Sequence, residues 1–259
     1  MKINPAATVQ NLGGKGYQLT CLAKNFPVPP FFVIALDDIT ELQNKENQTL
    51  ILNTFDKHKF ETVSVRSSAT VEDSNSASFA GMFETELNVT RETLIINIEK
   101  ILQSADNTRV KEYCKINKID VSSIKMRIVI QKMIASRIAG VCLTRDKIDG
   151  DMLIEAVLGL GEALVSGLVS PDTYTIDRKT LEVKQKSIGY QKTLVSDKGE
   201  APVPFFMRNT QKMTDDEIKQ LGKICLQIEQ HYKYKSADIE WAFEGDKLYI
   251  LQSRAFVGL

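Results

Sequence analysis

The sequence predicts an α+β protein. Three patterns carry that expectation. Short apolar or alternating runs are bounded by turn residues, segments of helical period lie among them, and the closing run ADIEWAFEGDKLYILQSR alternates on both sides of a glycine turn. A chain of 259 residues, 43% hydrophobic and 25% charged, can bury a full core as one large domain or two small lobes. Its 33 basic and 33 acidic side chains leave no electrostatic footprint for nucleic acid or an acidic membrane. No apolar run approaches the ~20 residues of a membrane span. The opening MKINPAATVQNLGGKG lacks the apolar core of a signal peptide. Cys21, Cys114, Cys142 and Cys225 are far apart and form no CxxC pair. Free thiols in a cytoplasmic, reducing setting are therefore expected.

Taken in order, Gly14 to Lys24 reads as a helix and PVPPFFVIAL as a Pro-rich entry to a strand. Ile39 to Lys59 is polar with scattered apolar positions, a mixture of helix and loop. Val63 to Ser67 and Met82 to Val89 read as strands. Ile95, Ile98, Ile101 and Leu102 place a helix over Leu94 to Gln103, and a second helix is expected from about Asn107 to Ile116. MRIVIQKMI, IAGVCLTRD, DMLIEAVLG, DTYTID and LEVKQKSIG follow as strands. Thr214 and Glu217 form a capping box that opens a helix running to Tyr232. No internal repeat, low-complexity tract or linker divides the chain.

Three stretches carry candidate chemistry. In NLGGKGYQL, Lys15 stands among Gly13, Gly14 and Gly16 at a helix start. Glycines allow close backbone approach, and a helix start with a lysine favours phosphate. The full GxxxxGK[ST] pattern is missing, so a purely structural glycine turn explains the stretch as well. VRSSATVEDSNSASFAG, from Val65 to Gly81, holds five serines, Arg66 and two acids. It combines the bidentate cation of Arg66 with the hydroxyl donors of Ser67, Ser68 and Thr70, as an anion-wrapping loop needs. Arg66 paired with Glu72 or Asp73 in a surface turn is the alternative. In the closing run, Asp238 and Glu240 share one strand face, and Gln252 and Arg254 share a face of the next strand. Carboxylates with an amide oxygen nearby suit Mg²⁺. A half-exposed sheet with one polar face is the alternative.

Together GGKG, PVPPFFVI, VRSSATVEDSNSASFAG, IVIQKMI, AGVCLTRD, IEAVLGLGEALVSG and DIEWAFEGDKLYILQSR resemble the ATP-binding domain of phosphoenolpyruvate synthases and pyruvate phosphate dikinases. Rifampicin phosphotransferases carry a similar domain. The motifs follow the family's order from residue 12 to residue 254. The resemblance implies an ATP-grasp fold in a single nucleotide-binding domain over residues 1–259, with two lobes clamping ATP between β-sheets.

It also implies roles. Lys15 and Arg66 match phosphate-binding residues, and Ser78, Phe79, Ala80 and Gly81 match a loop folding over the phosphates. Gln131 and the backbone around Met133 match the strand edge that takes adenine. Glu240 and Gln252 match ligands of Mg²⁺, with Asp238 and Arg254 beside them. Lys15, Arg66 and Arg254 would surround the transferring group. Glu155, Gly159 and Gly161 match a family segment that a strand and tight turn explain equally well. Two departures stand out: Phe31 replaces a usual glycine, and the stretch from residue 35 to residue 62 is short.

Family enzymes relay phosphoryl through a histidine on a swivelling domain, and neither His58 nor His231 has that setting. The expected function is thus the ATP half of a dikinase-like system, without swivel or pyruvate-binding barrel. It would transfer a phosphoryl or pyrophosphoryl group from Mg-ATP to a phosphohistidine carrier or acceptor on another polypeptide. The alternatives are a small-molecule kinase or ATP-dependent ligase, and a non-catalytic ATP sensor.

Overall fold

The structure is a computed structural model. It describes residues 1–36, 38–70, 73–74, 77–78, 85–104, 112, 114–116, 120, 124–146, 150–165, 167 and 169–256. The chain divides into two compact units, each built on its own sheet. This is the α+β class expected, with the paired sheet-and-helix units that the ATP-grasp expectation requires. No helix among the described residues is long and apolar enough to cross a membrane.

The first unit comprises Met1–Lys24 and Pro29–Met133. Its strands are β1 (Lys2–Ile3), β2 (Phe31–Ala35), β3 (Val63–Ala69), the two-residue pair β4 (Asp73–Ser74) and β5 (Ala77–Ser78), β6 (Thr85–Val89) and β7 (Met126–Lys132). Five of them form an antiparallel sheet in the order β1-β2-β7-β3-β6. Alternation along the strands gives the sheet two distinct faces. Phe32, Ile34, Val63, Val65, Ile128 and Ile130 form one face. They are buried with Ile51 and Phe55 of α2 (Lys45–Lys57) and with Leu94, Ile98 and Ile101 of α3 (Leu94–Ser104). The opposite face carries Arg66, Ser68, Arg127, Gln131 and Val33, and α1 (Val9–Leu22) crosses it with Gly16 close to Val33. Most of the helix expected at 107–116 lies outside the described residues.

The second unit comprises Asn25–Val28 and Ile134–Leu259. β8 (Ile138–Leu143), β9 (Met152–Leu158), β10 (Asp172–Ile176) and β11 (Val183–Ser187) form a meander. The hairpin β14 (Ala237–Glu244) and β15 (Lys247–Ala255) joins it through β8, giving the order β11-β10-β9-β8-β14-β15. Ile239, Trp241 and Phe243 face the core, as their alternation requires, with Ile154, Ala156 and Ile250. α5 (Asp215–Tyr232) supplies Ile218, Leu221, Cys225 and Ile228 as its buried face. Its predicted capping box is present in both directions: Glu217 N donates to Thr214 Oγ1 (3.2 Å) and Thr214 N to Glu217 Oε2 (2.8 Å). Ahead of it lies the short helix α4 (Glu162–Val165). A small hairpin of β12 (Thr193–Ser196) and β13 (Gly199–Pro202) also precedes α5; strands of four residues, one of them ending in Pro202, are too short for a periodic signal.

Candidate functional site

In the first unit, period-2 alternation puts Arg66 and Ser68 on the face of β3 that meets Gln131 and Arg127 of β7. Arg66 Nη1 donates to Gln131 Oε1 (3.3 Å). This fixes the amide so that Nε2 is turned away from Arg66 as a donor. Gln131 is buried, yet its Nε2 finds no hydrogen-bond partner among the described residues. A buried donor left unpaired is costly, and a ligand acceptor would relieve it. Lys15 Nζ donates to the Ser67 carbonyl (3.3 Å), so the lysine lies against the same strand as Arg66.

Two expectations change here. β7 is an interior strand, paired with β2 on one side and β3 on the other, so Gln131 is not on a strand edge. Its backbone groups belong to the ladders, and the Met133 amide is taken by the Thr62 carbonyl (3.0 Å). What the site can draw from this stretch is the Gln131 side chain and the chain leaving the end of β7. Phe31, where the family motif has glycine, begins β2 directly opposite Gln131. Phe79, Ala80 and Gly81 lie outside the described residues, and of Ser78 only its place in β5 is described.

In the second unit one row of residues runs straight across four strands. Glu155 pairs with Val141, Val141 with Glu240, and Glu240 with Gln252. Directly opposed residues share a face, so both carboxylates and the amide project from the same side. Glu240 and Gln252 are nearest neighbours, with β-carbons about 5 Å apart. Glu155 stands two strands from Glu240, about 10 Å at the usual strand spacing. The next row pairs Asp238 with Arg254, whose Nε and Nη2 both donate to Asp238 Oδ2 (2.9 and 2.6 Å). Ile134, Ala139, Ala242 and Tyr249 form a small buried apolar cluster beside this polar row, with Leu251 packed against it.

The donor set fits Mg²⁺. Among the described residues no three His, Cys, Asp or Glu side chains converge as a self-contained metal cage. A phosphate-bound Mg²⁺ takes one or two protein oxygens and fills its other positions from phosphate and water. Adjacent carboxylate and amide oxygens at Glu240 and Gln252 match that requirement. Gly159, by contrast, is structural. It has a φ of +83°, and a β-carbon there would lie 2.2 Å from the Val195 carbonyl oxygen, which belongs to β12.

The predicted residues therefore collect in two groups. Lys15, Arg66 and Gln131 belong to the first unit, and Glu155, Asp238, Glu240, Gln252 and Arg254 to the second. The family described as pyruvate phosphate dikinase, AMP/ATP-binding domain, matches residues 48–257. The chain belongs to this family.

Within the pyruvate phosphate dikinase AMP/ATP-binding family, similarity extends to proteins of several names. A probable phosphoenolpyruvate synthase of Methanocaldococcus jannaschii is 42% identical over 207 residues, covering 76% of this chain and 17% of that protein. A rifampicin phosphotransferase of Bacillus cereus is 37% identical over 213 residues, 79% of this chain and 24% of its own. An uncharacterised phosphotransferase of Bacillus subtilis is 32% identical over 277 residues, 95% of this chain and 33% of its own. The chain thus spans a third or less of the length of these relatives. The family match begins after Lys15, whereas the B. subtilis alignment takes in nearly the whole chain.

The sequence offers Ser68 as one of the hydroxyl donors after Arg66 but gives no sign that it contacts the segment bearing Lys15. It does not single out Arg127, which lies on the same face and contacts that segment too. The one available signal was period-2 spacing, which places Ser68 on the same face as Arg66.

Proposed function

We propose that this chain binds Mg-ATP and hands a phosphoryl or pyrophosphoryl group to an acceptor outside its 259 residues. The observation that carries the reading is the double row on the second sheet: Glu240 opposite Gln252, with the Asp238–Arg254 ion pair beside it. One row supplies oxygens for a metal, and the other holds a guanidinium beside them. Bound Mg²⁺ would neutralise charge on the phosphates as the transferring group detaches.

The remaining work falls to the chain's own side chains. Arg66 and Lys15 place two cations on the first unit for phosphate oxygens. The amide donor of Gln131, unpaired among the described residues, suits an acceptor on the nucleotide. Arg254 offers bidentate donors for phosphate once it exchanges partners with Asp238. Catalysis of this kind is mainly positioning and electrostatic stabilisation.

The acceptor is a phosphohistidine carrier, by analogy with the family's relay. Neither histidine of this chain suits that role. His58 stacks on Phe32 and Phe60, with ring centroids 5.7 and 5.0 Å away, and His231 packs edge-on to Phe26 and Tyr232 at 5.8 and 4.8 Å. All four cysteines are free, which suits the cytoplasm.

Nucleotide chromatography of the purified chain, alone and with candidate histidine carriers, tests the proposal. Carrier-dependent release of AMP or ADP with labelled carrier supports it. Turnover that requires only a small molecule points instead to a kinase or ligase. Binding without turnover under every condition points to an ATP sensor.

A further inference from the structure

The hydroxyl of Ser68 sits inside the hydrogen-bond ladder of α1. In an unbroken helix the Gly16 amide would donate to the Leu12 carbonyl four residues back. Here Gly16 N donates to Ser68 Oγ (2.9 Å), and Ser68 Oγ donates to the Leu12 carbonyl (2.8 Å). A side chain from β3 therefore separates two groups that would otherwise bond each other. Such insertions break helices sharply. The break falls at Gly13, with φ 70° and ψ 175°. Only glycine fits there: φ is left-handed, and a β-carbon would lie 2.0 Å from the Ser68 carbonyl oxygen and 2.3 Å from its hydroxyl oxygen.

Arg127 holds the other side of the break. It stands directly opposite Ser68 in the sheet and is buried. Its Nε and Nη2 donate to the Gln10 carbonyl (3.3 and 3.2 Å), and its Nη1 donates to the Leu36 carbonyl. One cross-strand pair thus grips α1 at residues 10, 12 and 16. Lys15 is carried on the short stretch so fixed.

We infer that Ser68 is a positioning residue for Lys15, with Arg127 anchoring the same segment. The inference rests on the reading of Lys15 as a phosphate-binding lysine. Without the inserted hydroxyl, the Leu12 carbonyl and Gly16 amide can close their own bond, and the helix continues through Gly13. Successive helical residues are set about 100° apart, so rewinding one residue redirects Lys15. The triphosphate would feel that change, whereas adenosine would not.

A double-mutant cycle with Mg-ATP and adenosine as probes tests this. Lys15→Met, Ser68→Ala and the double variant are titrated by calorimetry, with melting temperatures recorded alongside. Ser68→Ala should weaken ATP about tenfold in the wild-type background and hardly at all in Lys15→Met. Adenosine affinity should not change. Ser68→Cys, nearly isosteric with a weaker hydrogen-bonding group, should fall between serine and alanine and serves if the alanine variant does not fold. Equal losses in both backgrounds, or equal losses for ATP and adenosine, would make Ser68 merely structural and overturn the inference. An unchanged ATP affinity in Lys15→Met would remove the phosphate reading of Lys15 itself, a separate failure.

Discussion

Glu240 stands directly opposite Gln252, although the turn joining their strands would not by itself put them there. Glu244 pairs with Lys247 across the two-residue turn Gly245–Asp246, and the register continues unbroken to Trp241 and Ile250. A regular ladder would then oppose Glu240 to Leu251 and turn Gln252 to the other face. Instead the register shifts between Glu240 and Trp241, a bulge that spends one extra residue of β15. The carboxylate and the amide face each other because of it.

If that pairing serves a metal, Gln252→Leu should reduce the advantage that Mg²⁺ gives ATP binding by about tenfold. Binding of metal-free ATP should change little. Titrating ATP with and without Mg²⁺ checks this; an unaltered Mg²⁺ dependence would show that Gln252 is not a ligand.

Much of this was legible in the sequence, because periodicity reports burial. Ile239, Trp241 and Phe243 were separable from Asp238 and Glu240 by alternation alone, and the Thr214–Glu217 box marked the start of α5. The bulge was not legible. Nothing local in DKLYILQSR distinguishes a bulged from a regular strand, and only the requirement that Glu240 meet Gln252 called for it. The insertion of Ser68 into α1 escaped for a related reason. Its partners, Leu12 and Gly16, are 56 and 52 residues away in sequence, and a hydroxyl inserted into a distant helix leaves no local pattern. The interior position of β7 is likewise a matter of topology, which strand propensity does not specify.

Removing both histidines should leave nucleotide turnover unchanged. His58 and His231 are exposed and held by ring contacts. Each substitution to alanine should cost stability only modestly, about 0.5 kcal/mol or somewhat more where stacking is lost. Comparing AMP and ADP formation by the wild type and the His58→Ala/His231→Ala variant is sufficient. Loss of turnover in the variant would place the acceptor inside this chain.

Lys212 should be worth far more to stability than exposed cations of the same unit. Its ammonium and Asp172 are both buried, and Asp172 also accepts from Gly189 N (2.9 Å), Lys212 N (2.8 Å) and Tyr174 Oη (2.7 Å). Burial pushes the Tyr174 phenol well up, reinforced by its bond to the Asp172 carboxylate. Lys212→Ala leaves that carboxylate without its cation, at a cost of about 3–5 kcal/mol and a fall in Tm on the order of 10 °C. Lys186→Ala, which removes the more exposed pair with Asp215, should cost under about 1 kcal/mol. Similar melting shifts for the two variants would contradict the buried-pair assignment.

The most direct test of the account is Mg-ATP affinity measured by isothermal titration calorimetry for the wild type, Arg66→Ala and Glu240→Ala. These residues stand for the proposed phosphate-binding set of the first unit and the proposed metal-binding pair of the second. Each loss should weaken Mg-ATP binding by about 2–4 kcal/mol, tens- to hundreds-fold in Kd. Only Glu240→Ala should also blunt the dependence on Mg²⁺. If both variants bind Mg-ATP as tightly as the wild type does, the site is not where these residues put it.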